Sequence, residues 1–419
     1  MKSRIERKEL YAWIAVIACL LVILITSCAP YQEANPLGTD FLRRLMRYMA
    51  ICCAMIVVGI GIGKKEYQVL EIVAIMSVFV FRAYNSFYAY NYTGLGLTTI
   101  ILGVSVCILS DRLRAKVFNT LVGVMTVVSF LGVVCFFAYI IHLPLPFGVA
   151  VRADGLRFIN YGISILCEEN SGMVRLCGIF DEPGWMGTWM AFCLCARDLN
   201  LRKKKNLILL FGGILTFSLA FVLLLVIYFF LKNIRDWKRW VLLVVFALFY
   251  LLVLPEVRTG IPSVDHVIER MVITSEGLTG DNRSGKYFDI IWKKTIDEGK
   301  ILWGNKAGYS YLFGTGVGEG IATIKQYVVD FGLVGTAIIF LPLFFASVRH
   351  AFKLKNIRVL LFVLISFISL YQRPNLFSPP CFAFYLCGVS YVAAGGAKSN
   401  QLNLVDIDDE TNSEIDRGN

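Results

Sequence analysis

The chain has 419 residues, of which 57% are hydrophobic and 17% are charged, with a formal net charge of +11. Soluble domains carry about 25% charged residues, and a water-soluble fold could not bury so much apolar surface in one core. The basic residues lie in short clusters between apolar blocks, and a helix needs about 17–25 apolar residues to cross a bilayer. The composition therefore predicts an all-α polytopic membrane protein and argues against nucleic acid as a partner.

Apolar blocks follow one another along the chain and predict membrane-spanning helices. They lie at about residues 11–28, 45–63, 67–83, 94–110, 117–142, 184–197, 206–231, 240–254, 327–347, 359–371 and 381–394. The block 206–231 has basic clusters on both sides, so both of its ends are expected in the cytoplasm. Since one helix cannot return to its starting side, we interpret this block as two short spans with a break near Thr216, which gives about 12 helices.

The basic clusters in the short connections assign the N-terminus, the C-terminus and these connections to the cytoplasm. The spans form a single transmembrane domain over residues 1–394, and the acidic tail 395–419 is expected to be disordered and cytoplasmic. Two long external loops remain, at about residues 144–183 and 255–326, and both are expected to carry short helices. Long loops are uncommon unless they are functional, so these two are the first places to look for a site.

The first long loop ends in a charged segment, Arg175-Leu-Cys-Gly-Ile-Phe-Asp-Glu182, directly before Pro183 and an apolar block. Pro183 is typical of the first turn of a helix, and Asp181 and Glu182 suit its positive end. One interpretation is a charged helix cap at the membrane surface. The other is an interfacial site in which Arg175 contacts phosphate beside the carboxylate of Glu182.

The second long loop carries Arg283 and Lys286, then a helical-looking segment at 287–292, and later the glycines Gly314, Gly316 and Gly318. Alternating glycines expose backbone N–H groups that can contact an anion, although tight loop packing explains them as well. They lack the strand–turn–helix setting of a dinucleotide site.

Further polar residues leave alternatives open. Arg152 and Arg157 in the first loop suit a diphosphate group, or belong to an ordinary solvated surface. Cys167 and Cys177 share that loop, where a disulfide and two free thiols are both open. No Cys/His set has metal-ligand spacing, and no metal or cofactor is expected. His266 in the second loop is an alternative base.

Three charged residues fall inside apolar blocks, namely Arg47, Glu71 and Arg82. A charge within a membrane is costly unless it is paired or hydrated. We therefore expect each of them to pair with another charge or to face a cavity.

Three segments, in this order, resemble the bacterial O-antigen polymerase and ligase superfamily, which includes the Wzy-type polymerases of surface polysaccharides. They are Arg175-x-x-Gly178-x-Phe180-x-Glu182-Pro183-x-x-x-Gly187, Arg283 with Trp292, and Phe313-Gly314-x-Gly316-x-Gly318 followed by Asp330-Phe-Gly332-Leu-Val-Gly335. Each motif is degenerate, but their order around two long external loops is fairly specific. The match covers the C-terminal two-thirds of the chain, and hydropathy alone supports it before that.

The resemblance implies a glycosyltransferase in the cytoplasmic (inner) membrane of a bacterium, acting on the external face without nucleotide sugars. Its implied partners are oligosaccharides carried on undecaprenyl diphosphate, membrane lipid and a chain-length regulator. Arg175 and Arg283 would stabilise the leaving diphosphate, and Glu182 would accept the proton of the acceptor hydroxyl. The expected substrate-binding residues are Arg152, Arg157, Lys286, Gly314, Gly316 and Gly318.

Two alternatives to a polymerase stay open. Ligases of this superfamily resemble each other in an external histidine near the span after the glycine segment, and residues 319–327 contain no histidine. This favours a polymerase. A flippase would place its charges in a central cavity between helical repeats, whereas the cations here concentrate in two external loops.

Overall fold

The computed structural model describes residues 2–28, 40–61, 69–87, 97–151, 155–169, 172–253, 256–260, 265, 268–269, 272–274, 277–278, 285–314, 323–373 and 378–395. Within these ranges the protein is mostly helical. A four-stranded antiparallel sheet, with the strands in sequence order, is inserted between the fifth and sixth helices.

The helices before the sheet are α1 (Lys2–Ser27), α2 (Asp40–Gly61), α3 (Val69–Phe87), α4 (Leu97–Ile108) and α5 (Asp111–Ile140). The sheet contains β1 (Gly148–Val151), β2 (Arg157–Asn160), β3 (Ile165–Glu168) and β4 (Val174–Gly178). After it come α6 (Pro183–Ala196), α7 (Lys204–Leu215), α8 (Leu219–Lys232), α9 (Trp237–Leu248), β5 (Ile273–Thr274), β6 (Gly277–Leu278), α10 (Lys286–Asp297), α11 (Tyr309–Gly314), α12 (Ile324–Lys353), α13 (Ile357–Ile368) and α14 (Pro379–Ala393).

A helix occupies every predicted span, and the block 206–231 is divided into α7 and α8 as predicted. In the described part of the chain, three helices are long and apolar enough to cross a membrane, at Arg7–Ser27, Asp111–Ile140 and Lys325–Lys353. The shorter apolar helices are Leu70–Phe81, Leu219–Lys232, Ile357–Tyr371 and Pro380–Ala393. Twelve crossings are not confirmed, because a helix such as α7 has 12 residues, about 18 Å of rise against a hydrocarbon core of about 30 Å.

The prediction that the first long loop carries short helices is wrong, because strands β1 to β4 occupy most of that segment. All five residues of β4 are buried, since the strand packs against α5, α6 and α7. Gly132 on α5 makes room for it: a Cβ atom there would lie 2.6 Å from a methyl carbon of Leu176. A strand that is buried on both faces shows no polar alternation, so the period-2 signal was missing from the sequence.

The second long loop does carry short helices, α10 and α11, as predicted. It is tied to α12 by Asp330, whose carboxylate accepts hydrogen bonds from the backbone N–H groups of Ser310 at 2.7 Å and Gly308 at 3.2 Å. Helix α12 is interrupted two residues later at Gly332, which has a φ of 69°. The segment from Asp330 to Gly332 therefore positions the end of this loop.

The two ends of the helix bundle differ in their charges. At the end opposite the sheet, Asp198 pairs with Lys232 at 2.8 Å and with Arg358 at 3.0 Å. Toward that end, Glu71 forms a buried ion pair with Arg114 at 2.8 Å, so the expectation that Glu71 pairs with another charge is confirmed. The sheet lies at the other end, where β4 packs against α6, α7 and the α7–α8 turn.

Candidate functional site

The candidate site lies at the sheet end of the bundle and includes Glu182. Glu182 is the N-cap of α6, with Pro183 in the first turn as the sequence predicts, but its side chain makes no capping hydrogen bond. Instead the carboxylate accepts a hydrogen bond from Nη2 of Arg373 at 2.6 Å. The Glu182 side chain is 36% exposed and that of Arg373 only 3%. The pair therefore presents a carboxylate to the surface and keeps its cation inside the protein.

Arg373 follows the short 3₁₀ turn Ser369–Tyr371 and reaches Glu182 across the bundle. Its guanidinium carbon lies 5.1 Å from the ring centroid of Trp185, a cation–π contact. Among the described residues, its buried Nε has no hydrogen-bond acceptor. A cavity of about 20 Å³, lined by Arg373, Ser366 and Tyr385 among others, lies beside it, enough for about one water molecule. The guanidinium thus retains hydrogen-bonding capacity.

A second, larger cavity of about 500 Å³ is lined by Trp185, the ring on which Arg373 stacks. It lies where α1 ends and where α2, α6 and α14 begin, and its lining includes Arg44, Arg47, Asp181 and Trp185. The small cavity beside Arg373 shares Trp185, Trp189 and Cys381 with it. The expectation that Arg47 faces a cavity is confirmed, whereas the side chain of Arg82 lies outside the described residues.

Arg175 occupies a different place from the one expected for a substrate cation. Its Nε donates to the backbone oxygen of Thr216 at 2.9 Å, and its Nη2 to that of Phe217 at 3.2 Å. Its Nη1 pairs with Glu169 at 2.7 Å. All three nitrogens are therefore engaged in joining β4 to the turn between α7 and α8, and the guanidinium offers little to a ligand.

The other predicted residues are less informative. Arg157 pairs with Glu168 across β2 and β3 at 3.0 Å on the surface, and Gly314 is buried at the end of α11. Lys286 begins α10, and its side chain lies outside the described residues. Also outside them are Arg152, His266, Arg283, Gly316 and Gly318.

Cys167 and Cys177 are free thiols, both buried in a small apolar cluster with Cys28 and Phe158. Burial and a hydrogen-bonded contact with Cys167 raise the pKa of the Cys177 thiol well above its usual value. Within the described part of the chain, no group of three or more His, Cys, Asp or Glu side chains is placed to hold a metal ion.

Sequence reasoning missed Arg373 and Arg44. Arg373 lies between the blocks 359–371 and 381–394, in a connection that the topology predicts to be short and external. Basic residues are scarce in such connections, which the positive-inside rule describes. Its presence there was therefore a signal. Arg44 precedes a predicted span by one residue, and nothing in the sequence distinguished it from its neighbour Arg43.

Fold and site together define a mostly helical protein whose apolar helices are typical of a membrane protein, with a charged site and a cavity at one end of the bundle. No protein-family model, no curated protein and no solved structure matches the chain. The resemblance to the O-antigen polymerase and ligase superfamily therefore rests on the three sequence motifs.

Proposed function

We propose that the protein is a membrane glycosyltransferase that joins lipid-diphosphate-linked oligosaccharide repeat units into a surface polysaccharide on the external face of a bacterial cytoplasmic membrane. One observation carries the proposal. Glu182, which belongs to the first of the three motifs, is held by Arg373, and Arg373 stacks on Trp185, which lines a cavity large enough for a sugar-phosphate group. The proposal takes the N- and C-termini as cytoplasmic, as the basic clusters predict, and this end of the bundle would then face the outside.

The chemistry needs a proton acceptor and a stabilised leaving group. A hydroxyl oxygen of the acceptor sugar attacks the anomeric carbon of the donor, the bond from that carbon to the diphosphate oxygen breaks, and the electron pair leaves with the diphosphate. Glu182 supplies a carboxylate that can accept the hydroxyl proton, and its contact with the Arg373 guanidinium holds that carboxylate in position. No cofactor is needed for this exchange.

The leaving diphosphate gains one negative charge, on the oxygen released from the anomeric carbon, and fixed cations stabilise that developing charge best. Arg373 supports this role because it is buried beside the carboxylate and retains an unused Nε–H donor among the described residues. Arg175 is expected to hold the site together rather than to contact the diphosphate, since its three nitrogens already have acceptors. Arg283 remains a proposed second cation.

The experiment is complementation of a deletion strain with Glu182→Gln, which keeps the shape of the side chain and removes its basicity. Surface polysaccharide and lipid-linked intermediates are separated on gels. Wild-type protein is expected to restore a ladder of chain lengths, whereas Glu182→Gln leaves single repeat units, with transfer reduced about 100-fold or more. The matched control is Glu298→Gln, an exposed carboxylate paired with Lys300 in the second loop, which is expected to restore the ladder.

Other outcomes identify other functions. Long polymer that stays on its lipid carrier in the deletion strain would mean that the protein is a ligase. Repeat units trapped on the cytoplasmic leaflet would mean a flippase. A normal ladder with Glu182→Gln would remove the proposed role of the carboxylate.

A further inference from the structure

The cavity of about 500 Å³ has two chemically different parts. Arg44 and Arg47 are three residues apart on α2, so they lie one above the other on the same face of that helix. Both line the cavity, together with Asp181. Among the described lining residues the cations outnumber the carboxylates by two to one, and this part therefore favours an anion.

The other part of the cavity is aliphatic. Ile23 and Leu24 of α1 and Ile51 of α2 line it. Ile51 lies one helical turn beyond Arg47 along α2, farther from the sheet end of the bundle. Outward-facing residues of the same helix are apolar and exposed, namely Met49, Met55 and Ile56. A ligand in this cavity would therefore meet charge at the sheet end and hydrocarbon toward the middle of the bundle.

We infer that this cavity binds the phosphorylated headgroup of a lipid, with Arg44 and Arg47 on the phosphate and the first part of the hydrocarbon chain against Ile23, Leu24 and Ile51. Arginine binds phosphate through paired, charge-assisted hydrogen bonds. The aliphatic wall gives a reason for a lipid rather than a free anion, because burying hydrocarbon there removes apolar surface from water.

The identity of the bound lipid rests on the proposed function, under which it is the carrier lipid of a repeat unit. Trp185 and Trp189 line both this cavity and the smaller one at Arg373. A phosphate held by α2 would therefore lie in a cavity that shares a wall with the small cavity lined by Arg373. Arg44 and Arg47 of α2 would therefore bind the anion, and Arg175 would not.

The test is equilibrium binding of three probes to the purified full-length protein in detergent: farnesyl diphosphate, farnesol and inorganic pyrophosphate. We expect farnesyl diphosphate to bind at least ten times more tightly than either of the others. The double variant Arg44→Ala/Arg47→Ala should weaken its binding at least ten-fold, and the Lys/Lys double variant should restore part of it. Arg43→Ala is the matched control, because Arg43 is adjacent on α2 but is absent from the described lining, and it should bind as wild type.

Three results would overturn the inference. Pyrophosphate binding as tightly as farnesyl diphosphate would mean a site for free anions, and equal binding of farnesol would mean that the arginines do not recognise the phosphate. Unchanged affinity in the Ala/Ala variant would place the ligand elsewhere. A thermal unfolding midpoint close to that of wild type shows that the Ala/Ala variant is folded. If the Ala/Ala variant is unfolded, the Lys/Lys variant replaces it, and wild-type affinity in the Lys/Lys variant would overturn the inference.

These results are separable from the proposed function. If Glu182→Gln abolishes the ladder while the Ala/Ala variant binds farnesyl diphosphate normally, the glycosyltransferase proposal stands and the lipid site fails. If binding depends on the arginine pair while Glu182→Gln makes a normal ladder, the lipid site stands and the proposed role of Glu182 fails.

Discussion

Two arginine–glutamate pairs at the same end of the bundle both have a buried cation, but they differ in how many hydrogen-bond donors of the guanidinium have an acceptor. Arg175 pairs with Glu169 at 2.7 Å and also donates to two backbone oxygens in the α7–α8 turn. Arg373 pairs with Glu182 at 2.6 Å and stacks on Trp185, but its buried Nε has no acceptor among the described residues. The first pair completes a structural junction, and the second leaves a donor beside a cavity.

This difference separates a structural role from a functional one. A buried charge is costly unless its hydrogen bonds are satisfied, and Arg175 meets that condition inside the protein. Arg373 meets that condition only in part, because its buried Nε has no acceptor among the described residues, and this donor is available to water or to a ligand. Sequence motifs point to Arg175, whereas the geometry points to Arg373. Variants can test this distinction through the unfolding free energy of the purified protein in detergent and, for Arg373, through polymer synthesis as well.

Replacing Arg175 by Met should have the largest effect. The change removes three donated hydrogen bonds and leaves Glu169 mostly buried without its cation, so we expect a loss of about 3–5 kcal/mol in unfolding free energy. The double variant with Glu169→Leu should recover part of this loss, because it also removes the carboxylate that has lost the Arg175 cation. Wild-type stability in Arg175→Met would show that the junction is not structural.

Gly187→Ala tests the same junction from the side of α6. A Cβ atom at this position would lie 2.7 Å from Cβ of Ser218 and 2.9 Å from Oγ1 of Thr216. Because the turn between α7 and α8 would have to move, we expect a loss of about 2 kcal/mol. Gly123→Ala on α5 is the control, since an added Cβ there meets nothing within 4 Å, and its stability should not fall.

Arg373→Met should cost less stability than Arg175→Met and far more activity. It removes one hydrogen bond to a carboxylate that is 36% exposed and can be hydrated, so we expect about 1–2 kcal/mol. Polymer synthesis in the complementation assay should fall about 100-fold or more, the usual cost of removing one donor from a developing anion. An active Arg373→Met protein would contradict the functional role of this pair.

Arg157→Ala should have the smallest effect on stability. Its pair with Glu168 at 3.0 Å involves a side chain that is 45% exposed, and exposed ion pairs contribute about 0.2–1 kcal/mol. Lys300→Ala, in the similarly exposed pair with Glu298 at 2.7 Å, is the matched control and should lose a comparable amount. A loss near that of Arg175→Met would mean that β2 and β3 depend on this surface contact.

The sequence by itself determined where the helices lie. A run of apolar residues is a local property, so the blocks in the sequence match helices in the structure, and the flanking charges revealed the break between α7 and α8. The start of α6 was also predictable, because Pro183 marks a helix start through its own fixed φ angle. The charges inside apolar blocks, Arg47 and Glu71, were expected to find a partner or a cavity, and both did.

Only the tertiary structure decided which residues meet. Glu182 and Arg373 are 191 residues apart in sequence, and no local pattern connects them. Strand β4 in the first long loop was hidden because its burial on both faces removes the polar alternation that identifies a strand. The use of all three Arg175 nitrogens by the fold, and the cavity that Arg44 and Arg47 line, follow from how helices and sheet pack together. Ion pairs and cavities depend on how close segments that are far apart in the sequence lie in space. Apolar periodicity is a property of each segment alone and does not predict those distances.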